Sequence, residues 1–173
     1  SKEYSARYAA LINSAAQKLD DKAKVYTVVV PLAYAYNDKV LKKTDATDPK
    51  AAIDSIYGAI THPNARKVDA YGALGAHKNE YLYFRTDHHW TATGAYYAYV
   101  ALADSLGYTP YPMSDFTPMT VCDRFMGTTQ ASSGMTWIPG EALTLLRYDG
   151  DEDFRTEIIS GGQTVRTLNG FYD

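Results

Sequence analysis

An α/β fold, with helices layered on a mostly parallel sheet, is predicted by three observations in this 173-residue sequence. The run Val25-Tyr26-Thr27-Val28-Val29-Val30 is β-branched and continuously apolar, as a strand covered on both faces requires. Segments before and after it carry apolar residues at three- and four-residue spacing, the period of a helix with one buried face. Strand and helix signals then alternate as α, β, α, β, α, β, α up to Gly107, the pattern of a layered sheet with crossover helices.

The first helix spans residues 4–19, with Tyr4, Tyr8, Leu11, Ile12, Ala15, Ala16 and Leu19 as its stripe. Asp20-Asp21 ends it. The strand Val25–Val30 closes at Pro31, and Leu32 to Asn37 form a loop at its carboxyl end. Residues 38–49 are charged and turn-rich and read as a surface excursion. Pro49 starts a helix over 50–60, whose stripe is Ile53, Ile56, Tyr57 and Ile60. A second strand is expected at Lys67–Tyr71, a short helix at Ala73–Lys78 and a third strand at Tyr81–Arg85. Thr91 or Thr93 caps the next helix, which runs to Leu106 and stops at Gly107. Beyond Gly107 the texture changes. Pro110, Pro112, Pro118 and Pro139 interrupt strand-like pieces at Ala142–Tyr148, Thr156–Ile159 and Thr164–Leu168. The expected organisation is thus a core over residues 1–107 and a peripheral, β-rich excursion of the same domain over 108–173.

Composition excludes several functions. A hydrophobic content of 46% is that of a globular chain, so intrinsic disorder is set aside. With a net charge of −3 there is no basic field to attract nucleic acid. No apolar run approaches the ~20 residues of a membrane span, so any membrane anchor is expected outside this chain. The single Cys122 excludes an internal disulfide and a multi-cysteine zinc site, and no cofactor is indicated. Sixteen tyrosines against five phenylalanines suit polar or carbohydrate-facing clefts, and equally suit half-buried rings with wet hydroxyls.

The chemistry concentrates in Asp87-His88-His89-Trp90, where the third expected strand meets the helix that follows. If that stretch is extended, Asp87 and His89 point to the same side. A carboxylate paired with an imidazole is the acid–base half of a nucleophilic triad. Asp87 could instead cap the helix. A metal reading would use Asp87, His88 and His89, although adjacent side chains point apart, and His62 and His77 could join only through the tertiary fold. Nucleophiles are weak: Ser132-Ser133-Gly134 and Ser160-Gly161-Gly162 lack the strand-to-helix setting of a nucleophile elbow, and Cys122 has no activating neighbour.

The stretch FRTDHHWTATGAYYAY resembles the signature of the DHHW proteins, a bacterial family related to the alginate O-acetylation proteins and to SGNH hydrolases. The resemblance extends to VYTVVVPLAY, KVDAYGAL, ADSLGY and DRFMGTTQASSG, the last similar to the family's Phe-x-Gly-Thr segment. It implies an incomplete α/β/α SGNH-hydrolase-like domain. By the same resemblance Asp87 and His89 are the triad Asp and His, His88 is not catalytic, and Trp90 packs the loop. The nucleophilic Ser of the relatives lies later, in a Gly-Asp/Thr-Ser block after another strand. No such block occurs before Asp173, so the nucleophile is expected outside this chain, which alone would be inactive.

The implied activity is that of an extracytoplasmic O-acetyltransferase or esterase, with a polysaccharide or other acyl ester as substrate. Two alternatives stand beside it: a non-catalytic, tyrosine-rich glycan-binding module of the same fold, and a metal-dependent hydrolase built on Asp87 and the histidine pair. A sheet lacking the Ser-bearing strand would keep an open edge near Asp87, where a second copy could pair.

Overall fold

The computed structural model describes residues 2–37, 41, 48–150 and 155–169. Most of the charged segment 38–49 therefore lies outside the described residues. Helix α1, Lys2–Leu19, buries Ala9 and Ala16 and half-buries Ile12, a face small enough to seat closely on its neighbours. Tyr4 and Leu11, assigned to the stripe by spacing, are 72% and 66% exposed. Strand β1, Val25–Val28, follows. Helix α2, Pro49–Ala59, opens with proline in its first turn and with the Asp48 carboxylate accepting from Lys50 N at 2.9 Å.

Strand β2, Ala65–Val68, pairs with β1 in parallel, Val25 opposite Ala65 and Val28 opposite Val68. This strand ends earlier than the sequence suggests, because Asp69 is a helix cap: its carboxylate accepts from Gly72 N at 2.8 Å. Helix α3 accordingly covers Ala70–Ala76. Helix α4, Ala92–Leu106, begins at Thr91, whose hydroxyl accepts from Gly94 N, and ends at Gly107 in the left-handed conformation.

The parallel pair separates two apolar clusters. Val25 and Ala65 join Ala9, Ala16 and Ile60 of the α1/α2 layer, whereas Val28 packs with Ala70, Leu74, Leu82 and Ala98 of the α3/α4 layer. Opposite parity along the strand sends these side chains to opposite faces, so the α/β/α layering follows from period two. The side chain of Tyr57 ties the strand ends together, its hydroxyl accepting from Val29 N at 2.9 Å and donating to Val68 O at 2.8 Å.

The third parallel strand is not formed. Residues 82–91 fold back as a loop instead, with an isolated antiparallel bridge between Tyr83 and Trp90. Thr91 N donates to Leu82 O at 2.8 Å and Phe84 N to His89 O at 3.2 Å. Those backbone groups are thereby committed to the loop and cannot serve a sheet.

After α4 come β3 (Phe116–Phe125), the short helix α5 (Thr128–Ser133) and β4 (Glu141–Tyr148). Strands β3 and β4 form a bulged antiparallel hairpin, with α5 set in the connection between them. The last two strands, β5 (Arg155–Ser160) and β6 (Gln163–Asn169), form a second hairpin. The three strand-like pieces expected after Gly107 correspond to β4, β5 and β6; the ten-residue β3 was not foreseen. Among the described residues, no helix is long and apolar enough to cross a membrane.

Candidate active site

The loop 82–91 is held at the carboxyl end of β1, where Tyr83 donates its hydroxyl to Pro31 O at 2.7 Å. Ligand sites of α/β sheets lie at such strand ends. Within the loop, Asp87 is 7% exposed and its carboxylate is fully engaged. Oxygen Oδ1 accepts from His89 N at 2.9 Å and from the His89 ring Nδ1. Oxygen Oδ2 accepts from Thr128 N and from the Thr128 hydroxyl, both at 2.8 Å.

Asp87 and His89 therefore meet, but not as neighbours on an extended strand. A carboxylate accepting the N–H two residues on makes an Asx turn, and that turn brings the imidazole onto the same oxygen. Burial opposes the charge on Asp87; the hydrogen bonds from Thr128 and His89 outweigh it and hold the carboxyl well below its ordinary value. With Asp87 ionised, the proton between the two belongs to His89 Nδ1. The second ring nitrogen, Nε2, belongs to a side chain that is 66% exposed.

His88 faces solvent, but it does not lie away from the pair. Its ring lies against that of His89, centroids 3.9 Å apart and planes tilted by 37°. Its Nδ1 is 3.2 Å from the Thr128 hydroxyl. Since that hydroxyl donates its one proton to Asp87, the His88 nitrogen is the donor. Trp90 packs with Leu74, Leu82 and Ala98 in the α3/α4 cluster, which fixes the exit of the loop.

Among the described residues, Asp87, His88 and His89 are those that could hold a cation, since one ligand atom of each lies within 4.8 Å of the others. The expectation that adjacent side chains would point too far apart is corrected here: the bend at Asp87 draws them together. All four acceptor positions of the carboxylate are nevertheless occupied by donors, so an ion would have to displace the His89 ring or Thr128 to reach it. His62 and His77 are engaged elsewhere, His62 accepting from Asn64 N and His77 pairing with Glu80.

The candidate serines are turned to other partners. Ser132 donates to Thr128 O at 2.7 Å and Ser133 to Gln130 O at 2.9 Å, both along α5, and Ser160 ends β5 at the turn into β6.

Two site residues escaped the sequence reading. Thr128 reaches Asp87 from α5. Glu141, at the start of β4, accepts from Arg85 N at 2.9 Å, from Thr86 N at 2.7 Å, and from the hydroxyls of Tyr81 and Thr86. Gly127 lies so close that a Cβ there would come within 2.6 Å of Asp87 Oδ2. In the sequence, Gly127 and Thr128 are marked only by the family resemblance of FMGTT, and Glu141 carries no signal.

Two cavities adjoin the loop. One of about 630 Å³ lies between α4 and the β3/β4 hairpin, lined by Phe84, Trp90, Tyr96, Tyr99, Leu145 and Tyr148 among others. The other, about 540 Å³, lies beside Tyr36, Lys78, Glu80 and Tyr83.

The sequence matches the family described as DHHW protein over residues 1–163. Among solved structures, a DHHW family protein from Eubacterium siraeum DSM 15702 is similar with a TM-score of 0.73 and 32% identity, over 82% of this chain and 47% of that one. Bacillus cereus PatB1 with a sulfonyl adduct is similar with a TM-score of 0.64 and 15% identity, over 86% of this chain and 50% of that one. The O-acetyltransferase domain of Pseudomonas putida AlgJ follows the same fold with a TM-score of 0.61 and 18% identity, over 84% of this chain and 56% of that one. The chain thus spans about half the length of these structures. No curated protein sequence matches it.

Proposed function

The chain belongs to the DHHW protein family, and from that footing we propose that it carries the acid–base half of an SGNH-like acyl-ester enzyme. The protein of which it forms part would be an O-acetyltransferase or esterase acting outside the cytoplasm on a cell-surface polysaccharide. The observation that carries this reading is the buried Asp87 carboxylate bonded to Nδ1 of a His89 side chain that is itself largely exposed.

In this reading Asp87 fixes the tautomer and orientation of the ring. His89 Nε2 takes the proton of a nucleophilic hydroxyl as its oxygen bonds to the acyl carbon. The imidazolium then returns that proton to the departing alcohol, and a second cycle with a sugar hydroxyl or water releases the acyl group. The hydroxyl would come from a segment corresponding to the half of the similar structures that this chain does not cover. A sulfonyl adduct, as held by the structurally similar PatB1, is the kind of product an activated hydroxyl gives, and it supports the reading.

The test is hydrolysis of a simple acetyl ester by the full-length protein and by residues 1–173. Full-length protein should turn over, and His89→Ala should lower its rate by about 10⁴-fold, the typical loss for a triad member. Residues 1–173 alone should be inactive. Undiminished turnover by the full-length His89→Ala protein, or turnover by residues 1–173 that is lost in Ser133→Ala, would overturn the assignment.

A further inference from the structure

We propose that Glu141 is a positioning residue for the Asp87–His89 pair, so that the pair assembles only when the β3/β4 hairpin is docked on the loop. Each oxygen of a carboxylate can accept two hydrogen bonds. Each oxygen of Glu141 takes one backbone N–H and one hydroxyl: Arg85 N and Tyr81 on Oε2, Thr86 N and Thr86 Oγ1 on Oε1. These are the two backbone donors immediately before Asp87, and together with Tyr81 they fix the incoming limb of the loop. The outgoing limb is fixed independently by Thr91 and Trp90.

Thr86 carries the coupling further. It is 1% exposed; its hydroxyl donates to Glu141 and accepts from Gly127 N at 3.1 Å, while its carbonyl accepts from Gln130 N at 2.9 Å. Gly127 leads into Thr128, which makes both bonds to Asp87 Oδ2. A continuous set of hydrogen bonds and one peptide link thus runs from Glu141 through Thr86 and Thr128 to Asp87 and His89. Burial of the Glu141 carboxyl disfavours its charge, but the four donors hold it below its ordinary value, so it is ionised wherever the loop is ordered. Burial and the neighbouring carboxylate in turn push the Tyr81 hydroxyl up to about 12, so Tyr81 remains a donor at neutral pH.

A carboxylate is required here and an amide will not serve. Backbone N–H groups cannot reverse their role, and one points at each oxygen. A glutamine would satisfy one and set its own NH₂ against the other. Space-filling alone would be preserved by glutamine; positioning would not.

The experiment follows residues 1–173 by NMR. Imidazole ¹⁵N shifts report which nitrogen of His89 carries the proton, and amide exchange reports Arg85 and Thr86. In wild type His89 should be held as the Nδ1–H form with both amides protected. Glu141→Gln should lower protection of those amides by about tenfold or more and mix the His89 tautomers, and Glu141→Ala should do the same. Should Glu141→Ala unfold the chain, the volume-preserving Glu141→Gln still decides the matter. A wild-type tautomer in Glu141→Gln overturns the proposal, even where the two amides exchange faster. Its activity consequence rests on the acyl-ester reading: full-length Glu141→Gln should lose about 10- to 100-fold in ester turnover, as for a catalytic group displaced by about an ångström. A full-length protein with no esterase activity would refute that reading and leave the NMR result standing. An active protein untouched by Glu141→Gln would refute the positioning role alone.

Discussion

Replacing Gly127 by alanine tests whether the site depends on close approach of two chain segments. Gly127 has φ −84° and ψ −179°, ordinary extended backbone that any residue adopts, so the substitution introduces no backbone strain. It introduces a methyl group where there is no space. An ideal Cβ would lie 2.6 Å from Asp87 Oδ2 and 2.8 Å from Asp87 Cγ, and closer still to Asp87 Cβ. Carbon atoms rest at about 3.5–4.0 Å from each other, so the Asp87 side chain or the 127–128 backbone must move by roughly 1 Å. Overpacking of this kind costs about 1–3 kcal/mol. The same movement stretches the bond from Thr128 N to an ionised carboxylate, a contact of about 1.5–3 kcal/mol. The expected loss is about 3–5 kcal/mol, a large part of the stability of an ordinary domain. Urea unfolding reads it as a lower midpoint at unchanged slope. Gly58→Ala is the control: its added Cβ meets nothing within 4 Å in α2, so it should be neutral or stabilise slightly. If Gly127→Ala proves as stable as Gly58→Ala, the packing described around Asp87 is wrong.

The other expectations concern charge and core. Asp87→Asn cannot satisfy the backbone N–H groups of both His89 and Thr128, and should cost about 2–4 kcal/mol in urea unfolding; a loss below 1 kcal/mol would contradict the bonding described. Asp87 and Glu141 both have folded values depressed below 3.8 and 4.5, so the unfolded chain binds more protons in acid. Their contribution is complete above about pH 5 and is lost as pH falls below those ordinary values. Tm should therefore drop between pH 5 and 3, less steeply in Asp87→Asn, and parallel profiles would refute the linkage. Leu74, 0% exposed between α3 and α4, should cost about 2–5 kcal/mol when truncated to alanine, whereas an effect under 1 kcal/mol would mean that this layer is not packed as described.

Local features of the fold were legible in the sequence because local rules specify them. The β-branched run gave β1, proline placed the start of α2, and Thr91 with Gly107 bounded α4. The Asp–His pairing was also legible from a spacing of two, although its geometry is an Asx turn and not a pleated strand. Tyr81–Arg85 is not the strand its sequence suggests, because a short run of aromatic and apolar residues fits either a strand or a loop pinned on both sides. What decides between them is where the backbone donors go, and that is non-local: Arg85 and Thr86 give theirs to Glu141, 56 and 55 residues away.

Half of the site is illegible in the sequence because its contacts, too, are remote along the chain. Asp87 owes its low proton affinity as much to Thr128, 41 residues on, as to His89 beside it. Nothing in the composition of FMGTT distinguishes a threonine that bonds a carboxylate from one that caps a helix. In the folded chain three positions of that segment have a physical role. Phe125 packs on Phe84 with centroids 5.0 Å apart, Gly127 admits Asp87, and Thr128 supplies two donors to one oxygen. Phe125 sets the distance, Gly127 permits the approach and Thr128 uses it, so the three are expected to act as a unit. Double substitutions among them should therefore be strongly non-additive: adding Thr128→Val to Gly127→Ala should cost clearly less than Thr128→Val alone, because the displaced carboxylate no longer makes the bond to be lost. Simple additivity of the two, measured in the same urea unfolding, would mean that Gly127 and Thr128 contribute through separate contacts and that Asp87 is not the point at which they meet.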